Sequence, residues 1–260
     1  MMFKKTLAPG ILTVLNLFLG FYSVVLAAQG NFVNAAWFIV LAGVFDVFDG
    51  KVARATKAYS SFGEELDSLA DVISFGMAPG FLLYQVHFFK IGPLGILLSF
   101  FPLLFGALRL ARFNANISGH EKLDFSGLPI PASAGLFCSF IIFNFHIWDE
   151  LFLTSLLMPM VIFISVLMVT TVRFDAMPKF SFKSGGKNKN LLYLLITAVL
   201  LIAFFPQLAL FPIAIIYITY SLVRSLIRMS KEGLIRNGRK RKKSADDDIE
   251  EISDNLDREN

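Results

Sequence analysis

Long uncharged runs alternate with short polar joints along this chain. No Asp, Glu, Lys or Arg falls within 6–45, 72–89, 91–108, 125–148, 151–172 or 190–223. A helix crossing about 30 Å of hydrocarbon at about 1.5 Å per residue needs roughly 20 mostly apolar residues. Each shorter run supplies one such helix. The two longest supply two apiece, broken near Gln29-Gly30-Asn31 and between Pro206 and Pro212. The pattern predicts eight spans, over 7–28, 32–57, 64–89, 92–111, 129–148, 151–172, 190–206 and 209–228. Backbone groups in hydrocarbon must be satisfied within their own segment, so the expected fold is an all-α integral membrane protein.

Composition agrees. The chain is 55% apolar and only 17% charged, with a mean hydropathy of +0.64, which excludes a water-soluble globule and a disordered chain. A single cysteine, Cys138, excludes an internal disulfide framework and any multi-cysteine metal site; mid-helix, it reads as a small packing residue. His87, His120 and His146 fall on separate segments and suggest no metal site.

The net charge of +4 is a topology signal, not a nucleic-acid footprint. With the N-terminus inside, one side receives 1–6, 58–63, 112–128, 173–189 and everything after 228. Of the 24 Lys and Arg, Lys90 alone falls on the other side. Lys and Arg accumulate on the cytoplasmic side, so both termini are expected there, in the cell membrane. A cleaved signal peptide is the competing reading of the N-terminus, but its apolar run is too long and Pro9-Gly10 interrupts it. Residues 1–228 form the expected membrane domain. The tail, 229–260, holds six basic residues within 236–243 and then an acidic stretch. It reads as a topology signal followed by a solvated disordered segment; the alternative is a basic grip on anionic headgroups.

The chemistry concentrates in 46–71, DVFDGKVARATKAYSSFGEELDSLAD. Asp46 and Asp49 stand three apart at the inner end of helix 2, and Asp67 and Asp71 four apart on helix 3, so each pair shares a helix face. The short joint predicts that helices 2 and 3 are antiparallel neighbours, with both pairs meeting across their interface. Gly50, Ala53, Gly63, Ala70 and Ser74 keep those faces small enough to admit a ligand. Clustered acids at a membrane boundary repel one another and resist desolvation. Oxygen-only ligands suit Mg²⁺ or Mn²⁺, and four carboxylates can hold two ions arranged for displacement at phosphorus. The competing reading pairs these acids with Lys51, Arg54 and Lys57.

The spacing D-x2-D-G-x2-A-R-x8-G-x3-D-x3-D, filled here by Asp46, Asp49, Gly50, Ala53, Arg54, Gly63, Asp67 and Asp71, resembles that of the CDP-alcohol phosphatidyltransferases. The resemblance implies transfer of a phosphatidyl group from CDP-diacylglycerol to an alcohol, with release of CMP. It implies that Asp46, Asp49, Asp67 and Asp71 hold two metal ions and that Asp71 is the catalytic base. It further implies that Gly50, Ala53, Arg54, Ser60 and Gly63 bind the CDP-diacylglycerol. Pro9 and Thr13 resemble the family's P-N-x-x-T stretch on the nucleotide side, with Gly10 in place of Asn. A homodimer is implied as well.

The stretch L-D-S-L-A-D-x2-S-F-G-x-A-P through Pro79, the run Arg109-Leu110-Ala111-Arg112-Phe113-Asn114 and the run Gly127-Leu128-Pro129-Ile130-Pro131 resemble the bacterial and archaeal phosphatidylserine synthases of this family. L-serine is therefore the expected acceptor. Arg binds carboxylates bidentately, so Arg109, Arg112 and Asn114 are candidate contacts to it; positive-inside anchoring is the other reading of the two arginines. The rival functions are the same chemistry on inositol phosphate, glycerol phosphate or choline, and, from other classes, a cation transporter or a membrane scaffold. A transporter predicts acids through the full membrane depth, which the later helices lack, and a scaffold leaves the fixed acid spacing unexplained.

Overall fold

A computed structural model describes residues 3–56, 60–118, 127–170, 172, 197 and 200–228, and every regular element among them is helical. The elements are α1 (Phe3–Ala28), α2 (Phe32–Thr56), α3 (Ser61–Asp71), a π-helical segment (Val72–Met77), α4 (Ala78–Val86), a 3-10 turn (Phe88–Ile91), α5 (Pro93–Ser118), α6 (Ile130–Trp148) and α7 (Thr154–Val169). A further helix, α8, spans Pro206–Arg228.

Six helices are long and apolar enough to cross a membrane, and α7 is a shorter apolar one. The protein is a multi-pass membrane protein. Seven of the eight expected spans thus have a described helix. The eighth, 190–206, falls mostly outside the described residues, as does the tail beyond 228. Two boundaries differ from expectation. α7 has 16 residues, about 24 Å at about 1.5 Å each, because the chain before it is held down: the Leu153 N–H donates to Asn144 Oδ1 at 3.0 Å. α5 runs past 111 to Ser118, because its polar end has tertiary partners beyond the apolar stretch. Arg112 donates to the Val169 carbonyl at 3.1 Å and Asn114 to Ser68 Oγ at 3.1 Å.

α1 and α2 form a hairpin that turns at Gly30, whose φ of 79° suits only a residue without a side chain. Ser23 pins the pair by donating to the Ala35 carbonyl at 2.9 Å. Residues 61–86 then run as one helix whose winding loosens over Val72–Met77. This central helix and α6 supply most of the largest buried side chains, including Phe75, Leu82, Leu83, Phe137, Phe140 and Ile141. Small residues set the close approaches, as they do between helices in lipid. A Cβ on Gly76 would stand 3.2 Å from the Leu103 Cα in α5, and one on Gly80 would fall on the Ser99 carbonyl.

The expectation that helix 2 and helix 3 (64–89) are neighbours is met: α2 packs on the π-helical segment and α4 of the central helix, and α1 packs on both. Toward α3 the approach of α2 is looser, and the gap left there is where Asp46 meets Asp67 and Asp71.

Candidate active site

Asp46 on α2 and Asp67 and Asp71 on α3 face one another across this gap. One carboxylate oxygen from each lies within 4.8 Å of the other two. Asp67 and Asp71 each keep one oxygen, Oδ1, that is buried and accepts no hydrogen bond among the described residues. Buried polar atoms are normally satisfied. Three converging carboxylates, two of them with an open buried oxygen, have the chemistry of a hard-cation site. Asp49, one turn further along α2, is 6% exposed and stands outside that trio. It accepts a hydrogen bond from Thr13 Oγ1 of α1.

Local structure explains the positions. Ser60 caps α3: its hydroxyl accepts from the Gly63 N–H at 3.1 Å. A Cβ on Gly63 would stand 3.0 Å from that oxygen, so glycine keeps the cap in place. The α3 N-terminus brings a partial positive charge beside the joint. At the other end of α3, the π-helical turn starts at the residue after Asp71, and such turns recur at functional sites. Pro79, without an N–H, relaxes the usual pattern one turn on. Ser74 Oγ donates to the Asn16 carbonyl at 3.0 Å and ties this turn to α1. The S-F-G-x-A-P stretch thus sets the shape of the helix directly beneath Asp71.

The basic residues divide. Arg109 on α5 is 8% exposed and faces Asp71. Arg112 is exposed and bound to the α7 C-terminus through the Val169 carbonyl, where a cation meets the negative end of a helix. Asn114 donates to Ser68 Oγ on α3, the residue that follows Asp67 in sequence. Arg54 folds its guanidinium back over Gly50, 3.8 Å from where a Cβ would be, and Ala53 is half-buried beside it. Lys51 lies over the Phe48 ring, 5.9 Å from its centroid; that cation is directed to an aromatic face, not to the acids. Lys57 lies outside the described residues.

Residues 6–166 match the CDP-alcohol phosphatidyltransferase family. The chain belongs to that family. A protein of Helicobacter pylori named CDP-diacylglycerol–serine O-phosphatidyltransferase is 35% identical over 231 residues, covering 86% of this chain and 93% of the relative. One of the same name from Methanocaldococcus jannaschii is 34% identical over 214 residues, covering 82% and 90%. An archaetidylserine synthase of Methanothermobacter thermautotrophicus is 38% identical over 170 residues, covering 64% and 68%.

In this CDP-alcohol phosphatidyltransferase, Asn16 is a polar site residue that sequence reasoning passed over, as is Ser68. Asn16 is fully buried on α1, between Thr13 and the contact with Ser74, and its side chain faces Asp71. Its signal was present. Thr13, Asn16, Gly20 and Ser23 are polar or small at helical spacing inside an otherwise apolar run.

Proposed function

We propose that this enzyme transfers the phosphatidyl group of CDP-diacylglycerol to L-serine, giving phosphatidylserine and CMP. The observation that carries the reading is the trio Asp46, Asp67 and Asp71, with an open buried oxygen on each of the latter two and with Arg109 buried on the Asp71 side. The names of the relatives that match over most of the chain support serine as acceptor.

Asp46, Asp49, Asp67 and Asp71 would hold divalent metal, two ions of Mg²⁺ or Mn²⁺. Bound metal supplies charge neutralisation on the pyrophosphate and the leaving CMP. The chain's own groups do the rest. Arg54 over Gly50, the α3 N-terminus at Ser60 and Gly63, and Ala53 and Thr13 line the nucleotide side. Arg109 takes the serine carboxylate in a bidentate pair, with Asn114 at the rim. Asp71 accepts the serine hydroxyl proton. The hydroxyl oxygen forms a bond to the phosphorus that carries diacylglycerol. The bond from that phosphorus to the bridging oxygen breaks, and its electron pair leaves with CMP.

The tails have a place. A cavity of about 280 Å³ between α2, α6 and α8 is lined by Ile39, Gly43, Phe75, Gly135 and Ile218. Gly43 precedes Asp46 by one turn and Phe75 follows Asp71 by one, so the apolar space begins beneath the carboxylates. Both termini are proposed to face the cytoplasm of the cell membrane, with the active site on that side, and the enzyme to be a homodimer. The test is CMP release by the purified protein given CDP-diacylglycerol and serine. Release stimulated by another alcohol and not by serine overturns the acceptor, and release with none overturns the transferase reading.

A further inference from the structure

Of the three stretches that resemble the serine class, Gly127-Leu128-Pro129-Ile130-Pro131 supplies no group to the site. Its place in the fold is nonetheless closely fixed. The Gly127 N–H donates to the Val172 carbonyl at 2.7 Å and the Leu128 N–H to the Leu167 carbonyl at 3.0 Å, which ties the stretch along the end of α7. Gly127 has a φ of 96°, and a Cβ there would fall on the Met168 carbonyl, so only glycine permits this approach. Ile130, which opens α6, and Met168 of α7 are both fully buried, and both meet α5 at Gly106. They form a wall anchored by backbone hydrogen bonds.

α5 rests on this wall. A Cβ on Gly106 would fall on Ile130 Cδ1, 3.1 Å from its Cγ1 and 3.3 Å from Met168 Cε. On another flank, one turn earlier, the Leu103 backbone meets the central helix at Gly76. α5 is thus seated between two surfaces within one turn. The next turn carries Arg109, three residues past Gly106, 8% exposed and on the Asp71 side. Close-packed interiors transmit strain instead of absorbing it, so a shift at Gly106 carries to that guanidinium. Resting on the reading that Arg109 takes the serine carboxylate, we infer that Gly106 and Ile130 are positioning residues whose contact sets how Arg109 reaches the acceptor. A bidentate pair needs both N–H groups in place at the carboxylate, so a small displacement weakens acceptor binding. The carboxylate takes no part in the bonds that form and break. The loss therefore falls on the KM for serine and spares kcat.

The experiment measures CMP release by the full-length protein, with serine and CDP-diacylglycerol varied in turn. Gly106→Ala sets one methyl against the wall and is expected to raise the KM for serine by about threefold or more, since sub-ångström to ångström misplacement already costs binding and rate. The KM for CDP-diacylglycerol and kcat stay near the unaltered values. Ile130→Val removes the Cδ1 that this methyl would meet, and combining the two returns the serine KM toward the unaltered one. In an Arg109→Gln background Gly106→Ala raises the serine KM no further, because residues that act through one another are not additive. An unchanged serine KM in Gly106→Ala overturns the inference. So does an equal rise in both KM values, a rise that Ile130→Val does not relieve, or a further rise on top of Arg109→Gln; each assigns Gly106 to structure alone. If Gly106→Ala does not fold, Ile130→Val by itself decides: the receding wall is expected to raise the serine KM by about twofold, and no rise overturns the role. Failure of the underlying reading shows separately. Absence of serine-stimulated CMP release from the unaltered protein removes the transferase reading, and an unchanged serine KM in Arg109→Gln removes the carboxylate contact; either takes this inference with it.

Discussion

Gly20 of α1 and Ser74 of the π-helical segment meet so closely that a Cβ on Gly20 would fall on the Ser74 hydroxyl and backbone. This contact sets the height of α1 against the helix that carries Asp71, and with it the positions of Thr13 and Asn16. Ser74 in turn donates to the Asn16 carbonyl. Gly20→Ala is expected to destabilise the protein by about 1–3 kcal/mol, the usual cost of overpacking, and Gly20→Leu to prevent folding. Thermal unfolding of the detergent-solubilised protein checks this. Unchanged stability in the alanine variant would show that α1 is free to move away.

Asp71→Asn keeps the shape and removes the base. General-base catalysis contributes about 10²–10⁴ in rate, and a metal ligand is weakened as well, so a loss of at least about a hundredfold in CMP release is expected. Near-normal turnover would remove Asp71 from the mechanism.

Chelation is expected to abolish turnover, and Mg²⁺ or Mn²⁺ to restore it. A second readout needs no activity. A ligand bound only by the folded state raises stability by an amount set by its concentration over its Kd, about 2.7 kcal/mol at a hundredfold excess. The unfolding temperature should therefore rise with added Mg²⁺, and Asp67→Asn should blunt the rise. An equal rise in that variant would place the ion elsewhere.

Arg109 and Arg112, three residues apart on α5, are expected to behave differently. Arg109→Gln should raise the KM for serine by about tenfold or more, since a buried charge-assisted pair contributes about 1.5–3 kcal/mol, while the KM for CDP-diacylglycerol stays put. Arg112→Gln should leave both KM values near the unaltered ones, because that side chain serves the α7 C-terminus. A serine defect confined to Arg112→Gln would reverse the assignment.

Orientation is open to a labelling test. Cys138 is fully buried, so the chain is its own unreactive background. A membrane-impermeant thiol reagent applied to intact cells should label Lys90→Cys and spare Ser60→Cys. The opposite result would invert the topology.

The uncharged runs alone determined that this is a helical membrane protein, because hydrocarbon leaves the backbone no other way to satisfy its amides. The spacing of Asp46, Asp49, Asp67 and Asp71 likewise named the acidic residues, since a helix repeat fixes which side chains share a face. Distances between helices follow no such local rule. Only packing showed that α2 approaches α3 loosely, because the small residues that set helix spacing act through partners far away in sequence, as Gly76 does through Leu103. The different destinations of Arg109 and Arg112 were equally hidden: an i,i+3 pair looks alike in sequence until one side chain finds a helix end and the other is buried on the side of the acids. Asn16 gained its meaning last, since an amide in an apolar run is unremarkable until the fold leaves it fully buried beside Asp71.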